Sequence, residues 1–196
     1  MSIAGLLLAA LIAGACKSSG SGESGLFGPP DQTADAAALV EQANTELKKI
    51  RKLYNDNESK REELKKAMAG DDAAAVQKVA DDVVYVINDG SGFVDDAIKK
   101  LEQAQELNTN DDYKEYLRLK VETLKKQKEA FEEYRQAARS LRDNYDPKNT
   151  EQREKVSADF KQRADKYQDL MEKARDYSSQ ANELAKDVLA RQASGQ

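Results

Sequence analysis

The sequence predicts an all-α protein: an elongated antiparallel four-helix bundle or coiled coil behind a flexible N-terminal tether. Three observations carry this. Residues 31–194 hold only three Gly (Gly70, Gly90, Gly92) and one Pro (Pro147). Ala, Leu, Glu, Lys, Gln and Arg dominate the same stretch, and these side chains lose little freedom in a helix. Apolar positions recur at alternating intervals of three and four, which lays one stripe along a helix.

The first segment, about 32–69, carries Val40, Ala43, Leu47, Ile50 and Tyr54, then Leu64 and Met68. Asn57 and Arg61 stand on the stripe in between, so packing is poor there or an end lies close. Asp31 or Thr33 caps the start, and Gly70 closes the end. The second segment, about 72–107, begins at Asp71 or Asp72 with Val76, Val79, Ala80, Val83 and Ile87. It resumes after Asn88-Asp89-Gly90-Ser91-Gly92 with Val94, Ala97, Ile98, Leu101 and Ala104, still in phase. Two Gly in three residues cost about 1 kcal/mol each inside a helix, so a kink or local opening is expected at 88–92.

The third segment, about 111–145, follows the capping run Asn108-Thr109-Asn110-Asp111. Its stripe is Tyr113, Leu117, Lys120 (or Val121), Leu124, Lys128, Phe131, Tyr134, Ala138, Leu141 and Tyr145. Asp146-Pro147 stops it, because Pro disfavours helical geometry in the residue before it. The fourth, about 149–193, has the cleanest stripe: Val156, Phe160, Ala164, Tyr167, Leu170, Ala174, Tyr177, Ala181, Leu184 and Val188. Short connections near 70, 109 and 147 make successive helices antiparallel neighbours. The alternative architecture is a looser coiled coil completed by a second copy. Eight Tyr lie mostly on or beside the stripes, as rings at the core boundary with wet hydroxyls.

The N-terminus is of another kind. Leu6-Leu7-Leu8-Ala9-Ala10-Leu11-Ile12-Ala13-Gly14-Ala15 is apolar and too short to span a bilayer, which takes about 20 residues. It suits the apolar region of a secretory signal ending in small residues. Cys16, the single cysteine, follows at once, and Lys17 to Pro30 contain four Ser, four Gly and two Pro. Ala13-Gly14-Ala15-Cys16 resembles the lipobox of bacterial lipoproteins, with Ala13 where Leu is usual and no Lys or Arg in residues 1–5. The resemblance implies a signal peptide over 1–15, lipidation of the Cys16 thiol, and a lipid-anchored tether over 16–30 ahead of the bundle at 31–194. Two or three acyl chains anchor stably where a single one holds reversibly. It implies a bacterial envelope location, and the outer membrane in a Gram-negative host, because Lys17 is not the Asp that retains such proteins inside.

Composition bears on chemistry. The chain has no His, which removes Ser-His-Asp and Cys-His catalysis, zinc-protease motifs and the Glu-x-x-His pairs of di-iron bundles. Asp89-Gly90-Ser91-Gly92 lacks the strand and general base that a nucleophile elbow needs. Asn108-x-Asn110-x-Asp112 opens like a calcium loop, yet Tyr113 and Leu119 replace its Gly and Glu, which favours capping. Glu62-Glu63, Asp95-Asp96 and Glu132-Glu133 lie among Lys and Arg as solvated faces. No catalytic residue, cofactor or metal ligand is expected, and interspersed charges of both signs with a net charge of −5 speak against nucleic acid.

The expected function is therefore a non-catalytic, membrane-anchored lipoprotein whose bundle serves a structural or protein-interaction role toward another envelope protein. The competing reading is a holdase or small-ligand carrier. An excess of exposed apolar surface, or an internal pocket near Gly90, is the feature that favours it.

Overall fold

A computed structural model describes residues 31–194, and these form five helices. They are α1 (Thr33–Asp56), α2 (Ser59–Ala69), α3 (Ala73–Glu106), α4 (Asp111–Asn144) and α5 (Thr150–Ala193), with no strand among the described residues. α1 and α2 together make one rod, so the chain is an all-α bundle of four. At 1.5 Å rise per residue the 34 residues of α3 span about 50 Å and the 44 of α5 about 65 Å.

Direction follows from the ion pairs. Between α3 and α4, Lys125 meets Glu102, Lys128 meets Asp95, and Arg142 meets Asp81, the numbers rising on one helix as they fall on the other. Arg163–Glu133 and Arg191–Asp112 run the same way between α5 and α4. The Gln32 amide donates to the Asn108 carbonyl at 2.9 Å, joining the start of α1 to the end of α3. Each rod therefore lies antiparallel to its sequence neighbour. α1 and α2 pack on α3, α3 on α4, and α4 on α5, but no Cα of α1 or α2 comes within 8 Å of α5.

The core is divided lengthwise. One cluster joins Ala36 and Ala43 of α1 to Val94, Ala97, Ile98, Leu101 and Ala104 of α3 and Leu117, Val121 and Leu124 of α4. The other joins Leu64 and Ala67 of α2 to Val76, Ala80, Val83 and Val84, to Ala138, Leu141 and Tyr145, and to Val156 of α5. Most of these residues stand on the stripes read from the sequence; Ala36, Ala67 and Val84 do not, and of the long stripe on α5 only Val156 joins a cluster.

Two boundaries differ from expectation. The first rod is not continuous over 32–69, because it breaks at Asn57 and Glu58. The Asn57 side chain donates to the Leu53 carbonyl at 2.9 Å, a local bond of the kind by which Asn competes with helical backbone. The second rod, by contrast, is unbroken through 88–92. Tertiary packing of a 34-residue amphipathic helix outweighs the two glycines. Gly90 is buried, and a Cβ placed on it would lie 3.2 Å from Leu53 Cδ2, so the missing side chain lets α1 approach. Gly92 faces open space, where a Cβ would meet nothing within 4 Å. Gly92→Ala should therefore stabilise the protein by about 1 kcal/mol, read as a higher urea midpoint at unchanged slope.

The turns are built by side chains. Asp72 caps α3 by accepting from the Ala75 amide at 3.0 Å, and Asn110 caps α4 through the Tyr113 amide at 2.8 Å. Asn149 accepts from the Gln152 amide at 3.1 Å, while the Gln152 side chain reaches the Asn144 carbonyl instead of completing a capping box. At the turn between α2 and α3 it is Asp71, with φ 52°, that takes the left-handed conformation, not Gly70. Asn and Asp tolerate that region through local hydrogen bonds. Here the Asp71 carboxylate also receives Arg153 of α5 at 3.2 Å and lies 3.1 Å from the buried Tyr145 hydroxyl.

Candidate functional site

Cys16, the one site residue the sequence singles out, lies outside the described residues, as do the expected signal peptide over 1–15 and the expected tether over 16–30. The other motifs can be placed. Ser91 lies within continuous helix and donates to the Ile87 carbonyl at 2.9 Å, so it is no nucleophile elbow. Asn110 is a cap and Asp112 pairs with Arg191 at 2.8 Å. Among the described residues no group of three or more His, Cys, Asp or Glu is arranged to hold a metal ion.

The carboxylate pairs are held apart by cations. Lys65 binds Glu62 at 2.8 Å, Arg135 binds Glu132 at 2.7 Å, and Arg163 binds Glu133 at 3.0 Å. Hydrogen bonds from Lys65, Ser59 and Arg135 hold Glu62, Glu63 and Glu132 below the ordinary carboxylate range. A general acid needs the opposite shift.

A site that the stripes did not single out lies at the waist, between the two core clusters. It forms where α1 breaks and where α3 passes Gly90. One cavity of about 60 Å³ is walled by Ile50, Leu53 and Tyr54 of α1, Val86, Ile87, Gly90 and Val94 of α3, and Phe131 of α4. A neighbouring one of about 70 Å³ shares Tyr54, Val86, Ile87 and Phe131, and is completed by Arg61 of α2, Tyr134 of α4 and Tyr167 of α5. Phe131 meets Tyr167 edge-on with ring centres 6.1 Å apart, and Tyr134 lies 5.7 Å from Tyr167 and 6.2 Å from Phe160. The Arg61 guanidinium sits over the Tyr167 ring at 5.9 Å. This cation–π contact reaches between rods whose backbones stay apart.

Comparison with family models, with curated proteins and with solved structures finds no match.

Burial governs the protons of the half-buried Tyr134 and Tyr167 at the waist, raising both phenols. It pushes Tyr167 up to about 12, although Arg61 pulls the other way, and it pushes Tyr116 of α4 to about 12 as well. Below the ordinary phenol value of 10.0 both side chains are neutral in the folded and unfolded chain alike. Above it the unfolded chain releases protons that the fold retains, so stability should fall between 10.0 and about 12. Ultraviolet titration of the phenols, followed beside circular dichroism, should show the last of them ionising together with loss of helix.

A second buried group was legible only as an ambiguity. Lys120 and Val121 both stood as candidates for the stripe of α4, and both are buried. Lys120 is 6% exposed. Its ammonium reaches Asn182 Oδ1 at 3.4 Å and the face of Tyr116 at 5.3 Å, with no carboxylate within 4.0 Å among the described residues. Burial holds its pKa below the ordinary lysine value.

Proposed function

We propose that the chain is a lipid-anchored envelope lipoprotein whose helical bundle works without catalysis, as a structural or binding module. The observation that carries the anchor is the sequence Ala13-Gly14-Ala15-Cys16 after an apolar run, with a Ser- and Gly-rich tether behind it. Among the described residues no helix is long and apolar enough to cross a membrane. The test is metabolic labelling with an alkyne-bearing palmitate in a bacterial host, followed by membrane fractionation. Wild-type protein should take up label and sediment with membranes. Label retained by Cys16→Ser at the wild-type level would remove the anchor.

The carrier reading gains support from the waist cavity, which lies beside Gly90. The holdase reading does not gain in the same way. Large exposed apolar side chains among the described residues are Tyr85, 71% exposed on α3, and Leu189, 55% exposed near the end of α5, and they form no client-binding face. A module that docks an envelope partner through polar faces, or holds a small ligand at its waist, fits the geometry better.

A further inference from the structure

We propose that the waist is a binding site for a single-chain amphiphile with a carboxylate head, its tail between α1, α3 and α4 and its head against Arg61. The inference deepens the carrier reading and rests on it, but it is independent of the lipid anchor.

The tail end is apolar by construction. Ile50, Leu53, Val86, Ile87, Val94 and Phe131 wall it, with Ser91 and Lys128 at its border, the Lys128 ammonium bound to Asp95, and Gly90 lets Leu53 lie where a side chain would press on it. The two adjoining cavities measure about 60 and 70 Å³, each smaller than the roughly 150 Å³ that admits benzene in an engineered apolar cavity. Each therefore seats only a few carbons of one slender alkyl segment, the rest of the chain lying along the open mouth, and a two-chain lipid is too wide.

The head end turns on Arg61. The other partly buried arginines, Arg135, Arg142, Arg153 and Arg163, each have a carboxylate within 3.2 Å. Arg61 has none within 4.0 Å among the described residues, and faces Tyr54, Tyr134 and Tyr167 instead. A guanidinium offers a planar fork of donors that matches a carboxylate, and phenols beside it have O–H groups to add.

Neighbouring charges limit the head to one negative charge. Lys60 also borders the cavity but is bound to Asp82 at 2.8 Å and Glu63 at 3.4 Å. Glu58 lines the same cavity and repels a second charge. A phosphate monoester would bring more charge than one arginine beside a glutamate compensates. A fatty monocarboxylate matches the apolar wall and the Arg61 guanidinium, with Glu58 as the one opposing group.

The experiment uses the full chain carrying Cys16→Ser, so that no attached acyl group competes, titrated with decanoate and with decanol. Binding is read from the aromatic proton signals of Tyr54, Tyr134 and Tyr167, with circular dichroism to confirm folding. Decanoate should shift these signals and bind more tightly than decanol. Arg61→Gln should weaken decanoate by about tenfold or more, the worth of one charge-assisted hydrogen bond, while leaving decanol unchanged. Glu58→Gln should tighten decanoate alone, and Val86→Phe, which fills the cavity, should weaken both. If decanol binds as well as decanoate and Arg61→Gln changes neither, the head assignment falls and the carrier reading stands. If neither ligand moves the ring signals, both fall.

Discussion

Leu64→Ala should lower stability by about 3 kcal/mol, and the loss should be concentrated in α2, the shortest of the five helices. Leu64 is 0% exposed, and it shares the buried face of α2 with Ala67 alone. α2 packs its backbone on α3 and on no other helix. Deleting the Leu64 side chain removes most of what fixes it, and a cavity remains where the surroundings cannot collapse. Amide hydrogen exchange should therefore show α2 opening freely while the α4–α5 hairpin keeps its protection. Uniform weakening across all five helices would mean that α2 is coupled to the whole bundle more tightly than its contacts imply.

Lys120→Met should act in the opposite sense, raising stability by about 1 to 2 kcal/mol near neutral pH. Lys120 is enclosed by α4 and α5 with a long hydrogen bond to Asn182 and an aromatic face, so its charge is poorly compensated. Methionine keeps much of the length of the stem and removes the ammonium. Because burial lowers the folded pKa of the lysine, the unfolded wild-type chain binds more protons than the folded one between the two values. Wild-type stability then rises with pH through that window, and the advantage of the variant should shrink as pH approaches about 10.4. Chemical denaturation of both proteins at several pH values below that point would show it. A variant less stable than wild type at neutral pH would make the contacts of Lys120 net stabilising.

Much of this fold was legible because helical periodicity is a local signal. Val76 to Ala104 and Leu117 to Leu141 were assigned to their faces by spacing alone, and those residues form the two core clusters. The two misplaced interruptions have one cause. At Gly90 and Gly92 the sequence shows the propensity cost of glycine but not the approach of Leu53, which makes a small residue useful there. At Asn57 the poor stripe was visible, but not the side-chain bond to Leu53 that accompanies the break. The waist site was harder to see, because it is assembled from all five helices. Arg61 looked like a defect in a stripe. Its meaning depends on Tyr134 and Tyr167, distant in sequence and brought together only by packing. A basic residue on an apolar stripe was the one signal available, and Glu58 three positions before it disguised that signal as an ordinary helical ion pair.

The pairing of every rod with its predecessor bears on how the molecule assembles. Most docking surfaces meet across a single short turn, so little chain entropy is lost before each contact forms. Such a protein has low contact order and should reach its native state in microseconds to milliseconds, hairpin upon hairpin, in the order in which the polypeptide is made. Distant joins such as Arg61 with Tyr167 and Asp71 with Arg153 close the longest loops and should form last, as a latch on a structure already standing.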